Sequence, residues 1–115
     1  MKKHKVLEAT FYARSSGKMP VREWLLSLDK KDRIEIGGNI ANVEYNWPQG
    51  PPKCKPLENG IFEIRSNVSA GRIARVLFFM DYSNMYLLHG FIQKSRKIAK
   101  RDLELAKRRT KELEG

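Results

Sequence analysis

The sequence predicts one α+β domain. Two helical apolar stripes lie before residue 48, alternating apolar strands fill residues 55 to 93, and a charged amphipathic segment closes the chain. His4 to Arg14 carries Val6, Leu7, Phe11 and Tyr12 and stops at Ser15-Ser16-Gly17, which reads as a strand. Pro20 suits a first helical position, and Val21, Trp24, Leu25 and Leu28 follow at i, i+3, i+4 and i+7. Asp29 is placed to cap a second helix, with Ile36, Ile40, Val43 and Trp47 on one stripe and Gly37-Gly38 as a soft interruption. Pro48-Gln49-Gly50-Pro51-Pro52 ends the helical part, because prolines remove backbone donors. Lys55 to Glu58 and Ile61 to Arg65 then read as a hairpin around Asn59-Gly60, a dipeptide suited to tight turns. Arg72 to Asp81 and Met85 to Gln93 form a second antiparallel pair across Tyr82-Ser83-Asn84. Arg96 to Leu113 gathers Ala99, Leu103, Ala106, Thr110 and Leu113 on one narrow helical stripe, with Lys100/Glu104, Glu104/Arg108 and Arg108/Glu112 spaced for pairing beside it.

Size and composition restrict the function classes. The 115 residues fit a single domain, residues 1–115, and 41% hydrophobic content supports one modest core. Val76 to Met80 is the longest apolar run, far below the roughly 20 residues that span a bilayer, so no membrane partner is expected. No apolar segment follows the basic N-terminus, so the expected location is cytoplasmic. One cysteine, Cys54, and two histidines, His4 and His89, offer no set of ligands for a metal, and neither metal nor other cofactor is expected.

The net charge of +10 favours a polyanionic or acidic partner. Its distribution is sharper than its total. Residues 65–101 hold Arg65, Arg72, Arg75, Lys94, Arg96, Lys97, Lys100 and Arg101 against a single acid, Asp81. Strand alternation sets Glu63 and Arg65 opposite Phe62 and Ile64, sets Arg75 with Ile73, Leu77 and Phe79, and sets His89 with Leu87, Phe91 and Gln93. Unpaired buried charge is expensive, so the strand starts that bear Arg72 and Arg75 should open onto solvent or a ligand. Arg65, Arg75 and His89 then come from neighbouring strands, and Lys94, Arg96 and Lys97 line the exit from the last one. Arginines match phosphate oxygens, a histidine moves protons near neutral pH, and a lysine among cations can act as a base. That set suits attack of an RNA 2′-OH on its own phosphate. The sequence has no P-loop, nucleophile elbow or dinucleotide-binding glycine pattern. The structural alternative is that Arg65 and Arg75 pair with Glu63, Glu58 or Asp81 and that His89 is a core histidine; Phe78, Phe79 and Phe91 read as core.

Leu57-Glu58-Asn59-Gly60-Ile61-Phe62-Glu63-Ile64-Arg65, Arg72-Ile73-Ala74-Arg75-Val76-Leu77-Phe78-Phe79 and Leu87-Leu88-His89-Gly90-Phe91-Ile92-Gln93-Lys94 together resemble the phage-derived branch of the RelE/HigB toxins. Arg22-Glu23-Trp24-Leu25 and the closing segment from Lys100 to Arg109 extend the resemblance over nearly the whole chain. It implies a RelE-like compact microbial ribonuclease fold: an N-terminal strand and two helices packed on an antiparallel sheet, then a C-terminal helix. It further implies the toxin of a type II toxin–antitoxin system, cleaving mRNA on the ribosome without a metal. A cognate, HigA-like helix-turn-helix antitoxin would neutralise it, in a complex that could be 2:2. By motif, Arg65, Arg75, His89 and Lys94 are the catalytic candidates, and Arg72, Arg96, Lys97, Lys100 and Arg101 would hold RNA. Alanine at Arg65, Arg75 or Lys94 is expected to spare the fold and lower cleavage. The branch often has Lys-Lys and then Thr-Pro where this chain has Gln93-Lys94 and Ile98-Ala99. Residues 95–115 contain no Tyr or His, so no general acid is assigned. Two other functions use the same features: a ParE-like toxin that inhibits a topoisomerase without cleaving RNA, and a non-catalytic nucleic-acid-binding module.

Overall fold

The computed structural model describes residues 4–93 and 97–114. In chain order its elements are β1 (Glu8–Phe11), α1 (Pro20–Leu26), α2 (Lys30–Asn46), β2 (Cys54–Pro56), β3 (Ile61–Val68), β4 (Arg72–Asp81), β5 (Asn84–Gln93) and α3 (Lys100–Glu114), with a short 3-10 turn at Ser69–Gly71 between β3 and β4. The expected α+β class holds. The five strands form one sheet in the order β1-β5-β4-β3-β2. β2 to β5 are the antiparallel run; β1 joins β5 in parallel, so the sheet is mixed.

β1 is shorter than the expected strand over residues 4–14, and the reason lies at its outer edge. The amides of Val6 and Leu7 both donate to the Glu44 carbonyl, at 2.7 and 3.0 Å. Ala9 donates to the Glu44 carboxylate at 2.8 Å. The end of α2 thus takes hydrogen bonds that another strand would otherwise seek, at Ala9 within β1 and at Val6 and Leu7 before it. Glu44 is itself buried and lies 3.3 Å from the Lys5 ammonium.

α2 runs unbroken through Gly37-Gly38, because Ile36, Ile40 and Val43 are all buried on its inner stripe and tertiary burial outweighs the glycine cost. Asp29 sits at the N-cap but makes no side-chain cap bond. Asp32, in the first turn, does the pinning instead: its carboxylate accepts from the Ser69 amide at 3.0 Å and from the Ser69 hydroxyl at 2.8 Å. Those two bonds, with the Arg72 guanidinium behind them, hold the Asp32 carboxyl below its ordinary range. α1 stops at Leu26, two residues before the expected Leu28, where the Ser27 hydroxyl bonds back to the Trp24 carbonyl at 2.6 Å.

The Asn59-Gly60 turn forms as expected. Both residues have positive φ, 56° and 74°, and Ile61 donates to the Glu58 carbonyl at 3.1 Å across the turn. The sheet carries a core on each face. α1 and α2 cover Ile64, Ala74, Val76, Phe78, Met85 and Leu87. α3 covers Ile61, Leu77 and Leu88 through Ala106, with Leu103 and Leu113 packed around them. The stripe expected on the last helix is therefore the one it buries. Cys54 is buried at the end of β2; burial first, and then the nearby Glu63 carboxylate, push its thiol up to about 11, so it is inert at neutral pH.

A β-bulge corrects the expected phase of β5. Phe78 pairs with Leu87, but the preceding Leu77 pairs with His89, so β5 carries an extra residue at Leu88. Simple alternation places His89 with Leu87. With the bulge, Leu87 belongs to the core under α1 and α2, while Leu88 belongs to the core on the α3 face. His89 meets α3, and Gly90 turns to α1. A Cβ on Gly90 would overlap the Trp24 ring at Cε3 and Cζ3, so any side chain here must displace that ring. Gly90→Ala is expected to destabilise by about 1–3 kcal/mol through overpacking. Urea unfolding measures this, and Trp24→Leu in the same chain should restore part of the loss.

Candidate functional site

The cross-strand register assembles three of the expected residues, Arg65, Arg75 and His89, on the α3 face of the sheet. Arg65 pairs with Arg75, and Arg75 with Phe91, giving one row across β3, β4 and β5. The next row is Glu63, Leu77 and His89. Two arginines, a carboxylate and an imidazole therefore occupy adjacent positions on three strands, as strand alternation with one bulge dictates.

Arg75 departs from expectation. It does not open onto solvent: its side chain is 2% exposed, and Nη1 lies 2.6 Å from the Glu63 carboxylate. Glu63 is 1% exposed. The reasoning that a strand start bearing arginine must be solvated fails because the sequence supplies the counterion two residues before Arg65. A buried charge is tolerated when it is paired and hydrogen-bonded. Alanine at Arg75 is accordingly expected to cost stability rather than spare the fold, since it would leave the buried Glu63 carboxylate only the more distant Arg65 guanidinium, at 3.8 Å. Arg65 is the accessible member of the group, with a third of its side chain exposed and Nε 3.8 Å from the same Glu63 oxygen. One carboxylate thus braces two guanidiniums, one buried and one open. Beside Arg65 a cleft of about 310 Å³ runs along β3, lined by Glu35, Asn39, Lys53 and Asn67. Asn39 is fixed there by a 2.8 Å bond to the Ser66 hydroxyl.

His89 is held from α3. Its Nε2 lies 2.7 Å from the Asp102 carboxylate, and its ring stacks on Phe91 with centroids 5.0 Å apart. Burial lowers the imidazole pKa below the ordinary 6.5, outweighing the opposing pull of Asp102. The neutral ring therefore donates Nε2–H to Asp102 and leaves Nδ1 as an acceptor. The depressed value gives stability a sign. The unfolded chain binds the proton more readily, so this contribution is full above pH 6.5 and declines as pH falls through it toward the folded value. Urea midpoints measured from pH 7.5 down to 5 should fall more steeply for wild type than for His89→Gln.

The remaining expected residues divide. Arg72 is part of the fold as well as the surface: Nη2 lies 3.3 Å from Asp32, and Nε donates to the Ser69 carbonyl at 3.0 Å. Lys97, Lys100 and Arg101 are exposed around the start of α3, and the Lys97 carbonyl accepts from Gln93 at 2.7 Å. Lys94 and Arg96 lie outside the described residues. Arg108 and Lys111 are exposed farther along α3. α3 is tied down near the bulge as well: Arg109 donates to the Leu88 carbonyl at 2.7 Å and lies 5.2 Å from the Tyr12 ring centroid, and the Tyr12 hydroxyl bonds Glu112. Sequence reasoning missed Asp102, whose partner is set by helix docking and leaves no local signal. Glu63 was legible through alternation, though only as a structural counterion.

Among the described residues no group of three or more His, Cys, Asp or Glu side chains is arranged to hold a metal ion. Among them, too, no helix is long and apolar enough to cross a membrane. None of the curated proteins compared with the chain matches it. A family model, that of phage-derived Gp49-like proteins (DUF891), matches residues 23–111, a span that runs from α1 into α3 and takes in Arg65, Arg75, His89 and Asp102. Because that match covers most of the sequence, including every strand but β1, the chain belongs to the phage-derived Gp49-like family.

Proposed function

We propose that this protein is the toxin of a type II toxin–antitoxin pair and cleaves mRNA on the ribosome by activating the RNA's own 2′-OH. The observation that carries the reading is the pair of adjacent rows Arg65–Arg75–Phe91 and Glu63–Leu77–His89 on one sheet face. In this reading Arg65 binds the scissile phosphate from its exposed position, while Glu63 and Arg75 fix the ground beneath it. His89, neutral and oriented by Asp102, accepts the 2′-OH proton at Nδ1. Phe91 gives the imidazole a stacking floor. Lys94 is the proposed donor to the departing 5′-oxygen, and Arg72, Lys97, Lys100 and Arg101, with Arg96, carry the flanking RNA. The cleft beside Arg65 accommodates an adjoining nucleotide.

The proposed partners are the ribosome with its mRNA and a helix-turn-helix antitoxin whose acidic surface covers the basic face. Such an interface should weaken as salt rises, because exposed charge pairs are screened. A titration of the complex between 50 and 500 mM NaCl is expected to show a steady loss of affinity through slower association. The activity itself is tested by primer extension on a translated message, with purified protein and no metal beyond what the ribosome requires. Discrete new 5′ ends that appear only during translation are the expected result. Growth arrest with a DNA-damage response and intact message would favour the topoisomerase reading instead.

A further inference from the structure

The far end of the sheet from Arg65 and Arg75 has the opposite character. There the α3 face carries the row Ile61, Phe79 and Tyr86, with Phe79 and Tyr86 half-buried in the cluster that also holds Leu113 of the last turn of α3. Beside that turn lies a cavity of about 430 Å³, lined by Phe79, Asp81, Tyr86, Leu113 and Glu114. Its walls are aromatic and apolar, and its charged lining groups are two carboxylates. In a chain of net charge +10 this is a local reversal of sign. Within the cavity this favours a cation over a phosphate, although Lys107, Arg108 and Lys111 line the neighbouring cleft on the other side of Glu114.

The neighbouring hairpin tip adds a second, independent feature. Tyr82 is 94% exposed and sits in the left-handed region at φ 55°, a conformation that glycine or asparagine adopts more readily than tyrosine. The turn thus holds a large aromatic ring in solvent on a strained backbone, and fold stability gains nothing from it. Exposed tyrosines beside apolar pockets are the usual anchors of protein interfaces.

We propose that the cavity between the β4–β5 hairpin and the end of α3 is a docking site for a protein partner, and that the partner inserts an arginine there. The guanidinium would lie against the Phe79 and Tyr86 rings, with Asp81 and Glu114 at the rim as its counterions and Tyr82 packing on the residues either side of it. Arginine suits the site better than lysine, because its flat, weakly hydrated head stacks on aromatic rings while bonding carboxylates. This surface lies at the other end of the sheet from the basic face, so it serves a contact separate from RNA binding and does not depend on the nuclease reading.

The probe is an acetylated, amidated peptide of alternating arginine and leucine, titrated into the full chain and followed by amide NMR shifts. A peptide with glutamate in place of arginine serves as control. Shifts confined to residues 79–86 and 110–114, seen with the arginine peptide alone, are expected. The double variant Asp81→Asn/Glu114→Gln should weaken binding at least tenfold. Tyr82→Gly should weaken it several-fold while leaving the melting temperature equal to or above that of wild type, since glycine relieves the turn. Shifts of the arginine peptide centred on Arg65 and the start of α3, equal shifts at residues 79–86 and 110–114 with the glutamate peptide, or unchanged affinity in the double variant would each overturn the proposal. So would sedimentation showing that wild type dimerises through Asp81 and Glu114, which would assign the cavity to a second copy.

Discussion

Glu63→Gln is expected to lower the unfolding free energy by about 3–5 kcal/mol, among the largest losses any single substitution here should produce. The carboxylate is buried and lies 2.6 Å from a guanidinium that is equally buried, so removing its charge takes away a close charge-assisted bond in a low-dielectric site. The same variant frees Arg65 from its brace. A replacement of both members, Glu63→Leu with Arg75→Met, should recover much of the stability, because apolar residues of similar volume refill the space without stranded charge. Urea unfolding of Glu63→Leu, of Arg75→Met and of the double variant forms a cycle whose coupling measures the pair. If Glu63→Gln unfolded at the wild-type midpoint, the pair would be dispensable to the fold.

Arg65→Ala is expected to leave the melting curve nearly unchanged and to reduce mRNA cleavage on translating ribosomes by about 10²–10³, the usual cost of losing one donor to developing oxyanion charge. Its side chain is a third exposed, so truncation removes little packing, and Arg75 remains paired with Glu63. Arg108→Ala and Lys111→Ala, on the exposed side of α3, should change the rate much less. Arg65→Lys is informative as a third case. It keeps the charge but loses the planar fork, so an intermediate rate is expected. Wild-type activity in Arg65→Ala would remove Arg65 from the site.

How legible these features were depended on the range over which each is encoded. Strand alternation and turn chemistry are local, so β4, the Asn59-Gly60 hairpin and the buried stripes of α2 and α3 could be read from residue spacing. The burial of Arg75 was not, because it depends on a cross-strand neighbour: Glu63 faces Leu77 in the register, one step from Arg75, and only the assembled sheet brings their heads together. The grouping of His89 with Phe91 was legible, but its grouping with Leu87 was lost to a single inserted residue, Leu88, which reverses the phase of what precedes it on β5. Asp102 was invisible as its partner because helix docking spans segments with no common period. The short β1 reflects another non-local competition, in which the Glu44 carbonyl of α2 takes the amides of Val6 and Leu7 just before the strand. Composition correctly marked the chain as basic, yet it averaged over the acidic pocket at Asp81 and Glu114, whose sign emerges only when the end of α3 is set beside the β4–β5 hairpin.

The chemistry at Arg65 and His89 is tested most directly by the termini of the cleaved message. Attack of the 2′-OH on its own phosphate leaves a 2′,3′-cyclic phosphate on the upstream fragment and a 5′-hydroxyl on the downstream one. Those ends are expected when the purified protein acts on translating ribosomes, read by end-labelling with and without prior phosphatase treatment. Fragments bearing 3′-hydroxyl and 5′-phosphate ends would contradict it, as would a message that stays intact under conditions where the protein arrests growth.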